Sequence, residues 1–226
     1  SVTLNGSNNI TVTESTTSIV TVTTTVTDLA GYADITNVTG KLYRSGVTST
    51  YNCTLDNNNC YQNTNCQLSN CSGNTCDATC SFNVQYHADP TDSNTPWSAE
   101  YWRAWIQGKD SLDQTNTNLS AANAPDILSL LSFKVSPSIG YGTLSPGESE
   151  TYFSRATTVT STGNCSMNLT LYGTAMANGS NTIPVAQQKF SIINATNTLY
   201  ASGTILTADP GQTVRKKKKK ITATSS

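Results

Sequence analysis

The stretch Cys53–Cys80 reads CTLDNNNCYQNTNCQLSNCSGNTCDATC and holds six of the seven cysteines of the chain. Leu55 and Leu68 are its only large aliphatic residues, and a segment so rich in Asn, Thr and Ser buries too little apolar surface to order itself. Disulfides can order it, because each removes unfolded-state entropy worth ~2–4 kcal/mol. Since such bonds persist in oxidising compartments, the stretch predicts an exported protein with a disulfide-rich insertion. The predicted disulfide cysteines are Cys53, Cys60, Cys66, Cys71, Cys76 and Cys80.

A structural zinc site is the alternative for these cysteines. Zinc ligands usually come in short pairs such as C-x2-C, which do not occur here, and the only histidine is His87. Spacing alone leaves about 15 disulfide connectivities for six cysteines. The seventh cysteine, Cys165, lacks an intramolecular partner and is either a buried, inert thiol or a bridge to another chain.

Composition predicts an all-β protein. The 226 residues include 38 Thr, 27 Ser and 23 Asn, and charged residues make up 12%, against about a quarter in typical domains. Thr is β-branched and favours strands, whereas Asn, Gly and Ser favour turns. No apolar run is long enough for a transmembrane helix, and the start lacks the pattern of a signal peptide. We therefore expect an extracellular or cell-surface protein whose signal has been removed.

The charge is unevenly distributed along the chain. The net charge of −1 includes the basic run Arg215–Lys220, without which seven basic residues face fourteen acidic ones. An acidic body argues against nucleic acid as a partner. The run is interpreted as a solvated or edge-strand segment, since lysines block unwanted pairing at sheet edges, with an anion-binding patch as the alternative. Ile221–Thr224 after it predicts a strand.

Alternating polar and apolar residues predict two β-sandwich domains. Strand patterns cover residues 9–27, 34–46, 81–88 and 99–110, with a turn at Asp28–Gly31. The pattern starts again at residue 128 and includes turns at 140–149 and 178–180. We predict a first domain at 1–114 with a Cys-rich insertion at 53–80, a linker at 115–127 and a second domain at 128–226.

Several phrases follow one another in an order that resembles a known kind of module. They are VTDLAGYADITNVTGKLYRSG (26–46), the NNNCY cluster (57–61), YHADPTDSNTPWSAEYWRAWIQGKD (86–110), YGTLSPGE (141–148), TSTGN (160–164) and IPVAQQKFS (183–191). They resemble the Ig-like β-sandwich modules of large secreted proteins from uncultivated bacteria and archaea. The resemblance implies two Ig-like sandwiches in a surface or filament component, and it brings no catalytic residues.

Glycosylation sequons are frequent, and an occupied one must be exposed. The candidates are Asn5, Asn9, Asn37, Asn52, Asn70, Asn118, Asn164, Asn168, Asn178 and Asn194. Their number exceeds the chance expectation only modestly, so the sequons gain weight mainly from the predicted export.

The strand at 99–110 predicts one core face and one face of uncertain use. Trp102, Ala104 and Ile106 share the core face, while Tyr101 and Trp105 lie on the other. Coverage by the cysteine segment is one interpretation of that second face. The other is a surface for glycans or a partner, with Trp97, Tyr101 and Trp105 as the stacking residues.

Catalysis and metal binding have weak signals. His87 has no predicted thiolate partner, no G-x-S-x-G elbow occurs, and we predict no enzyme and no obligatory cofactor. Calcium binding is the weak alternative, because Asp28, Asp34, Asp89, Asp92, Asp110 and Asp113 fall at strand ends or loops. Asp89 and Asp92 are the first candidates.

These expectations combine into a structural subunit of an extracellular filament or surface layer. The partner is the protein itself, through contacts between β-sandwiches and through an N-terminal segment that donates a strand to a neighbour. The alternative function is an adhesin that binds carbohydrate or another surface.

Overall fold

The chain forms two compact units that consist almost entirely of strands and loops. The computed structural model describes residues 1–48, 51–121, 125–136, 155–191, 203–208, 213–215 and 221–225. Unit 1 comprises residues 1–130 and 163–165, and unit 2 comprises 131–162 and 166–226. The all-β prediction is confirmed.

Unit 1 contains two four-stranded antiparallel sheets. Their strand orders are β1-β2-β6-β5 and β4-β3-β7-β8. The strands are β1 (Thr3–Leu4), β2 (Thr17–Thr27), β3 (Ile35–Arg44), β4 (Cys60–Asn63), β5 (Gln67–Ser72), β6 (Thr75–Gln85), β7 (Trp102–Asp110) and β8 (Thr115–Leu119).

The first sheet is built on the pairing of β2 with β6, which is continuous from Thr17↔Gln85 to Thr27↔Thr75. Val20 and Val22 on β2 are buried, whereas the Thr residues between and after them are exposed or half-buried. This alternation follows from the two-residue period of a strand. The inward residues of both sheets form one hydrophobic cluster, so the sheets pack face to face.

The second sheet supplies the largest side chain of that core, the fully buried Trp102 on β7. Ala104 and Ile106 follow it on the same face, as the sequence predicted. Opposite them on β3, Gly40 leaves room for a disulfide, because a Cβ there would lie 2.9 Å from Cys80 Sγ.

The predicted disulfide-rich insertion is wrong, because the cysteine segment supplies strands to both sheets. Its β4 pairs with β3 in one sheet, and β5 and β6 belong to the other. The error has a physical cause: cysteines take inward positions of β6 that aliphatic residues would usually occupy. The alternating residues Cys76, Ala78, Cys80, Phe82 and Val84 are all buried.

The predicted disulfides themselves are confirmed. The pairs are Cys53–Cys60, Cys66–Cys80 and Cys71–Cys76. The zinc alternative falls with them, because a cysteine in a disulfide has no thiolate to offer a metal.

The predicted linker at 115–127 is also wrong. Residues 115–119 form β8, which pairs with β7 at the edge of the second sheet. Farther along, Ile127 is fully buried and bridges to Ile10. The polar sequence TNTNL is suited to an edge strand whose side chains are all exposed, and this exposure makes it resemble a linker.

Unit 2 contains a five-stranded sheet of order β15-β14-β17-β10-β9 and two further pairs, β11 with β16 and β12 with β13. Val159 and Phe190 are buried in it. The strands are β9 (Phe133–Val135), β10 (Arg155–Ser161), β11 (Asn168–Thr170), β12 (Met176–Asn178), β13 (Asn181–Ile183), β14 (Lys189–Ser191), β15 (Thr204–Ile205), β16 (Thr213–Arg215) and β17 (Ile221–Ser225).

In unit 2 the structure confirms one predicted turn and one predicted strand. The turn at 178–180 joins β12 to β13, and the strand predicted at Ile221–Thr224 is β17. The turn predicted at 140–149 lies outside the described residues. The Ig-like character of both units stays a prediction.

Candidate functional site

A groove of about 710 Å³ lies at one end of unit 1. Its walls are the last residues of β2, the turn that follows them, the end of β7 and the strand β8. Both sheets therefore contribute an edge or an end to the groove.

The β2 wall has an open strand edge. One side of β2 pairs with β6 along its whole length, but the other side pairs with β1 only at Val22 and Thr23. Among the described residues, Thr24–Thr27 have no strand partner on that side, and the contact there is from the Thr24 hydroxyl, which donates to the carbonyl of Ser1 at 3.2 Å. Asp28 donates its N–H to Asn74, on the β6 side. Because successive residues of a strand direct their N–H groups to opposite sides, Thr25 and Thr27 direct theirs to the open side.

The opposite wall, β8, is an edge that its own side chains protect. The two residues that flank β8 are bonded to β7: the carbonyl of Gln114 accepts the N–H of Asp110, and the N–H of Ser120 donates to the carbonyl of Ala104. By alternation, the N–H groups of Thr117 and Leu119 face outward. There, Asn116 Oδ1 accepts the N–H of Thr117, and Asn118 Oδ1 accepts the N–H of Leu119, each at 2.8 Å. Such local bonds compete with strand addition. The edge of β2 is thus the more available of the two.

Three carboxylates converge at the rim of the groove. One carboxylate oxygen from each of Asp28, Asp34 and Asp110 lies within 4.8 Å of the others, and all three residues are half-buried. Among the described residues none of the three forms an ion pair, and the neighbouring Lys109 pairs with Asp113 instead, at 2.6 Å. Such a cluster attracts a hard cation or an ammonium group.

The local sequence fixes two of these carboxylates in turns. Asp28 Oδ1 accepts the N–H of Ala30 at 2.7 Å, and Gly31 follows with φ +113°, which favours glycine. Asp110 Oδ1 accepts the N–H groups of Leu112 at 2.9 Å and Gln114 at 2.7 Å. The predicted turn at Asp28–Gly31 is confirmed, but no sequence pattern showed that these turns meet in space.

The first calcium candidates, Asp89 and Asp92, are used otherwise. Asp89 is buried and its Oδ2 accepts a bond from Arg44 Nε at 3.2 Å, while Arg44 also pairs with Glu100. The guanidinium neutralises this carboxylate, and Asp92 Oδ2 accepts a bond from Ser129 at 2.8 Å. The cluster at Asp28, Asp34 and Asp110 is instead the group of described residues whose geometry suits a metal.

The three aromatic candidates do not form one exposed platform. Trp105 is only 6% exposed, and Tyr51 stacks on its ring at 4.2 Å. Trp105, Tyr43, Cys53 and Cys60 form a second small core on the outer face of β3 and β7. The interpretation that the cysteine segment covers this face is therefore confirmed.

The other two aromatic candidates are half-buried beside cations. The Arg44 guanidinium lies 5.1 Å from the Trp97 ring centre, and that of Arg103 lies 5.8 Å from the ring of Tyr101. Cation–π contacts of this kind occupy ring faces that a sugar would need.

One glycosylation candidate is wrong. Asn164 is 3% exposed, its Nδ2 donates to the carbonyl of Leu128 at 3.0 Å, and its Oδ1 accepts the N–H of Leu130 at 2.6 Å. A buried amide with both ends bonded offers no site for a glycan.

The remaining sequons differ in accessibility. Asn9, Asn52, Asn70, Asn118, Asn168 and Asn178 are exposed, Asn5 and Asn37 are half-buried, and Asn194 lies outside the described residues. Exposure permits glycosylation at these sites but does not establish it, so occupancy stays a prediction.

Cys165 is a free, half-buried thiol. Its Sγ lies 3.5 Å from Asn164 Oδ1. It is grouped with unit 1 through residues 163–165, which corrects its assignment to the second domain.

The hydrogen-bonded group around His87 is polar but lacks a nucleophile. His87 Nδ1 lies 3.0 Å from Asn58 Oδ1, and the ring packs edge-on against Tyr86. Asn58 also donates its backbone N–H and side-chain amide to Asp56, which lowers the pKa of that carboxyl. These contacts order the loop before β4.

Three disulfides are typical of a protein exported to an oxidising compartment. Within the described ranges, no helix is both long and apolar enough to span a membrane.

Comparisons of the chain with protein-family models, curated proteins and solved structures find no significant match. The resemblance to Ig-like surface modules therefore stays a prediction.

Proposed function

We propose that the protein is a structural subunit of an extracellular filament or surface layer. The observation that carries the proposal is the open edge of β2 at Thr24–Thr27 beside the groove. An unpaired strand edge is a template for pairing with another chain. Proteins that stay monomeric usually block such edges. In the same unit, β8 is blocked because the side chains of Asn116 and Asn118 accept its outward N–H groups.

The covalent cross-links support the same role. Cys66–Cys80 lies in the core, Cys71–Cys76 closes the β5–β6 hairpin, and Cys53–Cys60 holds the loop that covers Trp105. A subunit exposed outside the cell gains resistance to unfolding from bonds of this kind.

The N-terminal segment is not the donor that its sequence predicts, because it belongs to its own core. Val2, Leu4, Ile10 and Val12 are each no more than 6% exposed in unit 1. Deletion of residues 1–13 would remove these side chains and leave no folded monomer to test. The acceptor edge on β2 is therefore the feature to examine.

The adhesin alternative loses its main observation. It relied on Trp97, Tyr101 and Trp105 as one stacking surface, and Trp105 is buried beneath Tyr51.

Electron microscopy and light scattering of the purified protein test the proposal. We expect filaments or sheets, and we expect Thr25→Pro to abolish them, because proline removes the N–H that faces the open edge while β6 pairing is kept. Thr25→Val is the matched control, since it loses the same hydroxyl and retains the N–H. A protein that remains monomeric at all concentrations, or assembly equal in both variants, would overturn the proposal.

A further inference from the structure

The groove and the basic run of the same chain have complementary charge. The rim carries Asp28, Asp34 and Asp110, which form no ion pair among the described residues. The run Arg215–Lys220 carries six positive charges in six consecutive residues. Such opposite potentials steer two surfaces together and fix their register.

The run is tied to unit 2 on both sides. Before it, β16 pairs with β11, and after it, β17 pairs with β10 and β14 as an inner strand of the five-stranded sheet. The lysines therefore connect two paired strands. The interpretation of the run as a solvated or edge-strand segment stays a prediction, because residues 216–220 lie outside the described residues.

The basic run is long enough to cover the open part of β2. Six extended residues span about 20 Å, and the open part of β2, Thr24–Thr27, spans about 13 Å. An extended segment that pairs with this edge has residues left over to reach the turn at Asp28 and the carboxylates beside it.

We propose that the groove of unit 1 binds the segment Arg215–Lys220 of a second copy, whose backbone pairs with Thr24–Thr27 and whose ammonium groups contact Asp28, Asp34 and Asp110. The contact rests on the proposed function, and it supplies the interface between subunits. Because the two surfaces differ, the contact is heterologous and repeats from copy to copy, which gives a ring or an open chain of subunits rather than a two-fold dimer.

Complementation between two variants tests the contact in the full-length chain. The groove variant carries Asp28→Asn, Asp34→Asn and Asp110→Asn, which keep the turn-forming side-chain oxygens. The run variant carries Lys216→Gln, Lys217→Gln, Lys218→Gln, Lys219→Gln and Lys220→Gln. We expect each variant alone to be monomeric, with association weakened by about tenfold or more.

A mixture of the two variants is expected to form 1:1 dimers that do not grow, because only one intact groove and one intact run are available. Sedimentation velocity measures this distribution. The matched control carries Glu14→Gln, Asp56→Asn and Asp126→Asn, which remove three carboxylates that do not line the groove, and it is expected to assemble like the unchanged protein.

A binding measurement separates this inference from the proposed function. A synthetic peptide of residues 213–222 is titrated into the run variant by calorimetry, with a peptide that has Gln in place of all five lysines as the control. If the chain does not assemble but binds the peptide in a salt-sensitive way, the proposed function fails and the groove assignment stands. If the chain assembles and neither variant weakens assembly, the function stands and this inference is overturned.

Two further outcomes would also overturn it. In the first, both variants sediment more slowly than the unchanged monomer at every protein concentration. This result would show that the run and the groove meet within one chain. Binding of Ca²⁺ to the unchanged chain but not to the groove variant, with no binding of the peptide, would assign the carboxylates to a metal.

Discussion

Cys66 and Cys80 are joined by a disulfide in the core of unit 1, with their Cα atoms 4.4 Å apart. Cys80 lies on β6 of the first sheet, and the N–H of Cys66 donates to the carbonyl of Val38 on β3 of the second sheet at 2.8 Å. The bond therefore links the two layers. The double variant Cys66→Ala and Cys80→Ala is expected to lose about 3 kcal/mol of unfolding free energy, measured by urea denaturation.

The Cys71–Cys76 pair provides the comparison for that prediction. Its cysteines are 5 residues apart, against 14 for Cys66–Cys80, and the shorter closed loop constrains the unfolded chain less. Replacement of this pair by Ala is expected to cost about 2 kcal/mol. A larger loss here than for the core bond would contradict the account.

Gly40 is predicted to be intolerant of any side chain. An added Cβ would lie 2.9 Å from both Cys80 Sγ and Ile106 Cδ1. Gly40→Ala is therefore expected to lower stability by about 1–3 kcal/mol through overpacking. Gly108→Ala on the neighbouring strand is the control, because its Cβ would meet Val26 at an ordinary 3.8 Å. Thermal unfolding of the two variants should differ clearly, and equal melting temperatures would refute the packing argument.

Arg44→Met is predicted to be strongly destabilising. It would leave the Asp89 carboxylate, only 5% exposed, without its Arg partner, at a cost of about 3–5 kcal/mol. Lys109→Met removes a partner from the exposed pair with Asp113, where the expected change is at most about 1 kcal/mol. Chemical denaturation of both variants measures the contrast, and similar losses would show that burial does not decide the effect.

Tyr61 is predicted to make stability fall in alkaline solution. Burial raises the pKa of its phenol to about 12, from 10.0 for an ordinary tyrosine. Between these values the unfolded chain loses the proton and the folded chain keeps it, so unfolding becomes easier as pH rises, by about 1.4 kcal/mol per pH unit at most. Below pH 10 this contribution is fully present.

Tyr61→Phe isolates that effect. The variant loses the hydroxyl that donates to Asn57 and accepts the N–H of Gln85, so it is less stable at neutral pH. The gap between the two urea midpoints should narrow from pH 10 to 12. A gap that stays constant over this range would exclude Tyr61 as the group responsible.

Asn164 is predicted to carry no glycan, because its side chain is buried. Asn164→Ala is expected to lose about 1–3 kcal/mol, because the N–H of Leu130 and the carbonyl of Leu128 would lose their partner in a buried place. Asn168→Ala changes an exposed sequon on β11 and should alter stability little. Glycopeptide mass spectrometry and denaturation measure both, and a glycan found on Asn164 would require a different conformation there.

Short-range patterns in the sequence predicted much of the strand content. The alternation at 17–27 became β2, and the Asp28–Gly31 segment became a turn with the expected hydrogen bond from Ala30. Features that depend on residues distant in sequence were missed. Asn164 is an ordinary sequon in sequence, and only the carbonyl of Leu128 and the N–H of Leu130, both far from it along the chain, make it a buried structural amide.

The sequence by itself determined that the protein is all-β and that its clustered cysteines form disulfides. Both conclusions depend on residues close together along the chain: the alternation of Thr with apolar residues and the six cysteines within one short stretch. The tertiary structure decided which cysteines pair, that Trp105 is covered, and that Asp28, Asp34 and Asp110 meet at a groove. It also decided that β2 keeps an open edge while β8 is protected. These features depend on register and on contacts between distant strands, and a local pattern of residue types does not specify either.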